Sequence, residues 1–332
     1  MDMTTRYLGL TLKNPLVASA SPLTLDLDNI RRIEDAGGAA VVLPSLFEEQ
    51  IEQAAGRLEH YTTTGPGAFA EAFSYLPSAS NYRAEPHEFL EIIRKAREAV
   101  SIPVIASLNG VTGAGWTNHA RLAQEAGASA IELNVFFIPA DPSLTAQEVE
   151  SRYLRVLRAV KAAVSIPVSM KLSPYFTTPA GMIRMLERAG ADGFVLFNRF
   201  YQPDLDIGNL AVRLTLRLST PAEIPLPLLW IAVLFRQVTG SLAASTGVDS
   251  SAEVIKYLLA GADVVMTTSA LLRHGVGHLK MLLAGLTDWL KVHEITALSD
   301  MRGRLSQQML KDPVAYERAN YIKILQSRSS SP

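Results

Sequence analysis

Two short turns in the carboxyl-terminal third of the chain carry residue types that bind phosphate. One turn is Thr246-Gly247 and the other is Thr268-Ser269, and each follows a short apolar run and precedes a helix-length segment. At such a position, free backbone N–H groups and the positive end of a helix dipole can meet an anion. Small and hydroxylated residues are also ordinary in loops and helix caps, so one turn alone indicates little. Two such turns, one strand–helix unit apart, predict a phosphate site.

Lys171 is the charged residue whose position is most informative. It lies inside the apolar segment 168–172, where strand alternation puts Ser169 and Lys171 on one face and the apolar residues on the other. A buried ammonium without a partner costs several kcal/mol, so an inward lysine needs an anion or a strongly polar neighbour. That neighbour is either a bound anionic ligand or, as the alternative, Glu132 on the preceding predicted strand.

Polar side chains also follow several other predicted strands. Together with Lys171 and the two turns, they predict a phosphate-bearing cofactor across the mouth of a barrel. They include Ser19, Ser45, Asn134 and Asn198.

The elements that position these residues form a regular series. Eight short apolar runs alternate with amphipathic helix-length segments, which is typical of a parallel sheet covered by helices. Four predicted helices end in Ala-Gly just before a strand, and this repetition favours an α/β (β/α)8 TIM barrel over the alternative, a doubly wound open sheet. A small hairpin is expected over 5–12. The predicted strands are 15–18, 39–43, 104–107, 130–135, 168–172, 193–197, 242–244 and 263–266.

Two predicted connections are far longer than the roughly 2–6 residues usual between a strand and the next helix. They run over 45–82, after the second strand, and over 199–223, after the sixth. Both lie at the carboxyl face of the predicted barrel, so we interpret them as covers of the active site, with interface-forming loops as the alternative. The chain is expected to form one domain, 1–332, in which the tail 301–332 makes terminal helices that pack outside the barrel or partly fray.

Composition excludes several classes of function. The 31 Lys and Arg residues nearly balance the 32 Asp and Glu residues, which argues against a nucleic-acid partner. The absence of cysteine excludes disulfides, iron–sulfur clusters and a cysteine base within the chain. His274 and His278 form a lone i, i+4 pair without a nearby set of carboxylates, so no metal site is predicted.

The expected setting is the cytoplasm. The amino terminus lacks the basic start and apolar core of a signal peptide. The longest apolar stretch, 224–235, contains two prolines and is too short to span a bilayer, so no membrane partner is expected. The expected partner is a small-molecule substrate, and a homodimer is compatible with the sequence.

Several of these segments resemble the dihydroorotate dehydrogenase family. They are KNPLVASA at 13–20, ELN at 132–134, MKLSP at 170–174 and the two phosphate turns. The resemblance extends over about residues 6–292. It implies an FMN-dependent oxidoreductase of pyrimidine metabolism that acts on the CH–CH bond of a dihydropyrimidine or a similar small ring.

The resemblance also implies roles for particular residues. Lys171 would lie against the N1–C2=O edge of the flavin and stabilise the negative charge of the reduced ring. Asn134 and Asn198 would bind both flavin and substrate. The remaining implied FMN contacts are Ala18, Ser19 and Ser45 near the ring and Thr246, Gly247, Thr268 and Ser269 around the phosphate.

The chain departs from the family pattern at two points. Leu43 stands where the family usually has a lysine, and 135–138 reads Val-Phe-Phe-Ile where a segment such as Ser-Cys-Pro-Asn is usual. None of these side chains can accept a proton. We therefore predict slow or absent turnover of dihydroorotate and a less polar or uncharged substrate. The catalytic base is not identified, and only a hydroxyl from a cover, such as Tyr75 or Tyr201, could supply one.

Two alternative functions stay open at this point. The first is a flavin-binding barrel without catalysis, retained for a binding or regulatory role. The second is an aldolase or hydrolase in which Lys171 forms a Schiff base.

Overall fold

A computed structural model describes residues 1–47, 86–110, 114–199, 203–213, 217–312 and 316 of the chain. The strands of these regions are β1 (Thr5–Tyr7), β2 (Leu10–Leu12), β3 (Leu16–Ala18), β4 (Ala40–Val42), β5 (Leu46–Phe47), β6 (Val104–Asn109), β7 (Ala130–Asn134), β8 (Val168–Leu172), β9 (Gly193–Leu196), β10 (Asp204–Asp206), β11 (Ala211–Arg213), β12 (Ser241–Ala244) and β13 (Val264–Thr267). The α-helices are α1 (Leu27–Asp35), α2 (Pro86–Ala99), α3 (Ala114–Glu125), α4 (Ala146–Ala163), α5 (Pro179–Arg188), α6 (Pro225–Leu234), α7 (Ser251–Ala260), α8 (Ser269–His274), α9 (His278–Val292) and α10 (Leu298–Met301).

Eight parallel strands close into a barrel. Going round it, the strands are β3, β4, β6, β7, β8, β9, β12 and β13, and β13 pairs with β3 to complete the circle. The short strand β5 adds to β6 beside the barrel. The predicted (β/α)8 barrel is therefore confirmed, and the open-sheet alternative is wrong because an open sheet would leave β3 and β13 unpaired with each other.

The barrel has one apolar layer outside its strands and another inside. The outer layer packs strand residues such as Met170 and Leu172 against the helices. The inner layer contains Val195 and Met266, and the antiparallel hairpin of β1 and β2 inserts Tyr7 into it from the amino-terminal end. The predicted hairpin and the predicted outward direction of Met170 and Leu172 are confirmed. The barrel interior is thus apolar at its amino-terminal end, and its polar side chains lie at the carboxyl end.

Local sequence signals determine where the helices around the carboxyl-terminal strands begin and end. Ser250 caps α7 in a capping box, because its hydroxyl accepts from the Ala252 N–H and its backbone N–H donates to Glu253 at 2.7 Å. Gly261 ends the same helix with a φ of +125°. Helix α6 begins at Pro225, inside the apolar stretch 224–235, and proline is favoured at the first position of a helix. None of the described helices is both long and apolar enough to cross a bilayer.

The two long connections are described only in part. The segment 48–85 of the first predicted cover lies outside the described residues, so its role as a cover stays a prediction. The second connection contains the exposed hairpin of β10 and β11 and then returns to the barrel at 217.

The first part of the tail, 302–312, lies against α7 and is not helical. After α10 the chain runs through turns over 302–312, where the backbone N–H groups of Gly303 and Leu305 donate to the carbonyls of Leu258 and Leu259 at the carboxyl-terminal end of α7. Those bonds and the φ of +75° at Gly303 replace the helix predicted to continue there. The tail beyond 312, apart from residue 316, lies outside the described residues.

Candidate functional site

A cavity of about 510 Å³ opens at the carboxyl ends of the barrel strands, a size typical of small-molecule sites. All the predicted site residues except Ala18 line it. The lining residues among them are Ser19, Ser45, Asn134, Lys171, Asn198, Thr246, Gly247, Thr268 and Ser269. Ala18 is buried in the helix-facing core, because the inward position of β3 belongs to Val17. Ala20, two residues further on, lines the cavity instead.

Strand register arranges the inward polar residues in two layers. Asn109 pairs with Asn134, which in turn pairs with Lys171, so these three side chains stand side by side at the cavity floor. One layer lower, Ser107 and Ser169 flank Glu132 on the neighbouring strands. Because side chains two residues apart on a strand point the same way, the lower layer lies directly beneath the cavity floor.

Lys171 both lines the cavity and faces Glu132. Its Nζ lies 3.5 Å from Glu132 Oε1, and the side chains are 10% and 1% exposed. Lys171 can therefore pair with Glu132 and also face a bound ligand, although the sequence presents these two partners as alternatives. The second oxygen of Glu132 has no hydrogen-bond partner among the described residues. Below it, burial first and the Glu132 charge second raise the pKa of Tyr7, so Tyr7 stays a neutral phenol.

The two predicted amides meet above this layer. Asn198 Nδ2 donates to Asn134 Oδ1 at 2.9 Å, which joins the ends of β7 and β9 across the mouth of β8. Asn134 uses one acceptor in this bond and keeps both of its N–H donors, while Asn198 keeps its carbonyl oxygen. The pair can therefore offer donors and an acceptor to one flat ring, with orientations fixed by the shared hydrogen bond.

The first phosphate turn has a backbone that requires glycine. Gly247 has a φ of +75°, and a Cβ there would stand 2.5 Å from Ile224 Cγ2 and 2.8 Å from the Thr220 carbonyl oxygen. The neighbouring Thr246 also has a positive φ, +83°, which is uncommon for a β-branched residue. Tyr257 Oη donates to the Thr246 carbonyl at 2.8 Å and holds this conformation from below.

Hydroxyl groups tie both turns to the rest of the barrel. Thr246 Oγ1 donates to the Phe197 carbonyl, and Thr268 Oγ1 donates to the Ser19 carbonyl, each at 3.0 Å. Because these two hydroxyl protons point to the protein backbone, the donors left for an anion at the turns are backbone N–H groups and the hydroxyl of Ser269, whose oxygen accepts from the Ser219 N–H at 3.0 Å.

Ser219 is a buried residue of this site that sequence patterns do not reveal. Its hydroxyl accepts from the Gly247 N–H at 3.1 Å and lies 2.9 Å from Ser269 Oγ, so it joins the two phosphate turns. Arg273 donates to the Ser219 carbonyl and pairs with Asp249 at 2.7 Å. Ser219 comes from the long connection after β9, where no periodicity indicates which residue will return to the cavity.

The ionisable residues that line the cavity, within the described part of the chain, are Lys171, Arg199 and Arg217. Each pairs with a carboxylate outside the lining: Lys171 with Glu132 at 3.5 Å, Arg199 with Glu223 at 3.0 Å and Arg217 with Asp204 at 2.8 Å. Sequence patterns did not single out either arginine. Lys171 matches the anionic reduced ring of FMN, the donors at the two turns match its phosphate, and the pair of amides matches its polar ring edge. The residues present therefore fit this cofactor.

The two departures from the family pattern also have structural consequences. Leu43 is buried in the helix-facing core and does not line the cavity. Val135 is buried, and Phe137 packs on Tyr153 with ring centroids 6.2 Å apart, so this segment is apolar in structure as well as in sequence. Tyr75 and Tyr201, the candidate hydroxyl bases, lie outside the described residues.

In the described ranges, no three His, Asp or Glu side chains are arranged so that they could hold a metal ion. His274 and His278 do lie together, with ring centroids 4.7 Å apart, but a single carboxylate, Asp249, accompanies them at 3.7 Å from His274 Nε2.

Comparison with known proteins supports the predicted resemblance. The chain is 29% identical over 308 residues, 90% of its length, to the catalytic subunit of dihydroorotate dehydrogenase B (NAD(+)) from Methanocella arvoryzae, of which 98% is covered. It is 28% identical to dihydroorotate dehydrogenase A (fumarate) from Lacticaseibacillus paracasei, over 79% of this chain and 89% of that protein. It is 23% identical to the NAD-dependent dihydropyrimidine dehydrogenase subunit PreA of Escherichia coli K12, over 97% and 82% of the two chains. No protein-family profile matches the chain. The resemblance to the dihydroorotate dehydrogenase family is confirmed over most of the chain.

Proposed function

We propose that this chain is an FMN-dependent oxidoreductase that acts on the CH–CH bond of a dihydropyrimidine or a similar small ring. The named relatives, all dehydrogenases, support an oxidoreductase enzyme of this kind. The observation that carries the FMN proposal is that Lys171, both phosphate turns and the amide pair line one cavity. The cytoplasmic location stays a prediction.

Each group of residues has a proposed task. The turns at Gly247 and Ser269 would hold the FMN phosphate through backbone N–H groups, and Lys171 would face the ring where negative charge develops on reduction. Bound FMN supplies the acceptor for a hydride from the substrate ring. Asn134 and Asn198 would orient that ring, because their shared hydrogen bond fixes the direction of the remaining donors and acceptor.

A second candidate function is FMN binding without turnover of dihydroorotate. It is favoured by the apolar character of Val135 and Phe137, since ring oxidation also needs a base for the proton on the neighbouring carbon. A protein that binds FMN but transfers no hydride would serve as a binding or regulatory subunit.

Purification and reduction together test the proposal. The protein is expressed with riboflavin supplied, and its visible spectrum and the flavin released on denaturation are measured. We expect a yellow protein that releases FMN in proportion to the chain. Bound FMN that anaerobic dihydropyrimidines fail to bleach would favour the second function. A folded, colourless protein that takes up no added FMN would contradict both functions and revive the Schiff-base alternative for Lys171.

A further inference from the structure

Glu132 is a buried charge of the barrel interior that the proposed function does not use. Its side chain is 1% exposed, and one of its oxygens lies 3.5 Å from Lys171 Nζ. The other oxygen has no hydrogen-bond partner among the described residues. A buried carboxylate is costly unless it is fully paired, and a buried ion pair often stabilises a fold less than apolar residues of similar volume do. Stability alone therefore does not explain a carboxylate at this position.

The two members of this ion pair differ in their access to the cavity. Lys171 lines the cavity, so water or a ligand there can solvate its ammonium. Glu132 is in the layer beneath the cavity floor and does not line the cavity. The ammonium therefore has a source of solvation other than Glu132, whereas the carboxylate is out of reach of the cavity. It follows that Lys171 can occupy its position without a buried carboxylate behind it.

The hydroxyl residues beside and below Glu132 carry no charge. Ser107 and Ser169 flank it on the neighbouring strands. Tyr7 lies below, and because burial first and the Glu132 charge second raise its pKa, it stays a neutral phenol. The negative charge of Glu132 is therefore felt at the cavity floor together with the positive charge of Lys171. The lysine is the nearer of the two charges to any ligand that lies on the floor.

We propose that Glu132 lowers the reduction potential of the bound flavin by offsetting part of the charge of Lys171. This inference rests on the proposed function and adds a residue that acts through Lys171 from outside the cavity. Negative charge develops on the ring when it is reduced, so Lys171 favours the reduced state, and a carboxylate behind the lysine disfavours it. Glu132 thereby makes reduction by a substrate less favourable and reoxidation by an electron acceptor more favourable.

The reduction potential of FMN-loaded protein tests the inference without any substrate. It is measured against a reference dye during slow chemical reduction, so slow or absent turnover does not affect the result. Glu132→Gln keeps the shape of the side chain, removes its charge and should raise the potential. We expect the equilibrium between oxidised and reduced flavin to shift about tenfold toward the reduced state, or about 30 mV for two electrons. An unchanged or lowered potential would overturn the inference.

A conservative variant and two controls assign the shift to the charge of Glu132. Glu132→Asp keeps the charge, so its potential should stay closer to that of the wild type than the potential of Glu132→Gln does. Equal shifts in the two variants would mean that the side chain acts by its shape, and would overturn the inference. Tyr7→Phe removes an uncharged buried hydroxyl, and Glu98→Gln removes an exposed carboxylate of α2. Neither control should change the potential.

FMN loading separates this inference from the proposed function. Failure of the wild-type protein to bind FMN contradicts the proposed function, and this inference with it, before any potential is measured. Normal loading with equal potentials in the wild type and Glu132→Gln contradicts this inference alone. If Glu132→Gln does not fold or load, Glu132→Met also removes the charge and carries the same expectation. Loss of FMN binding in both variants, with normal loading of Glu132→Asp, would show that the carboxylate is needed to build the site and would overturn the inference.

Discussion

The phosphate end and the ring end of the cavity are built in different ways. At the phosphate end, Gly247 has no room for a Cβ, and hydroxyls of Ser219, Thr246 and Thr268 tie the turns to other elements. At the ring end, function depends on which side chains project from the strand ends, such as Asn134 and Asn198. Backbone geometry tolerates little change, whereas a projecting side chain can be exchanged without moving the barrel. This difference explains how a chain can keep a cofactor site while altering its substrate site.

The variant with the largest expected effect tests the phosphate end of the cavity. Gly247→Asp should abolish FMN binding, because the new Cβ meets Ile224 and Thr220, and the carboxylate adds negative charge where phosphate would bind. FMN content and thermal unfolding are measured together. Gly275→Asp is the matched control, since Gly275 also has a positive φ, +80°, but a Cβ added there would meet no atom within 4 Å. Normal FMN content in a folded Gly247→Asp protein would remove the turn from the cofactor site.

The next prediction addresses the ring end. Dihydroorotate should bleach the flavin slowly or not at all, because a positioned base contributes about 10²–10⁴-fold to such a step and the described part of 135–138 is apolar. The rate is measured by anaerobic mixing of FMN-loaded protein with dihydroorotate. Bleaching at the roughly 10 s⁻¹ of an average enzyme would reveal a base that this segment does not supply.

The same contrast explains what could be predicted from the sequence. The eight strands are predictable because buried parallel strands are short apolar runs between amphipathic helices, and strand alternation correctly predicts that Lys171 points inward. Ala18 was assigned to the cavity by resemblance, although alternation with Val17 turns its side chain outward. Sequence patterns do not reveal Ser219, because it lies in a long connection. Its return to the turns depends on tertiary contacts, which leave no periodic signal.

Lys171 lies between the two ends and tests electrostatics rather than shape. Lys171→Ala should lower the flavin reduction potential, since one preorganised charge at a developing anion is worth about 2.7–4 kcal/mol, or about 60–90 mV for a two-electron couple. Flavin reduction should slow by about two to three orders of magnitude. The variant also leaves Glu132 buried without its partner at 3.5 Å, so stability should fall.

A double variant separates these two effects of Lys171. Lys171→Met with Glu132→Gln removes both buried charges and should recover part of the lost stability, while the potential stays low. An unchanged potential in Lys171→Ala would mean that the lysine serves the ion pair with Glu132 and does not act on the flavin.

The variant with the smallest expected effect, Ser219→Ala, distinguishes the phosphate end from the ring end most directly. Ser219→Ala removes a hydroxyl that contacts the Gly247 N–H at 3.1 Å and Ser269 Oγ at 2.9 Å. A hydrogen bond of this kind contributes about 0.5–1.5 kcal/mol, so FMN affinity should fall by about two- to tenfold. The reduction potential should not change, because Ser219 stands at the phosphate end. Ser101→Ala, which removes a hydroxyl bonded to Glu34 outside the cavity, is the control for stability and should leave FMN affinity unchanged. Tighter FMN binding by Ser219→Ala would show instead that this hydroxyl competes with the phosphate for the Gly247 N–H, and a shifted potential would show that the two ends are coupled.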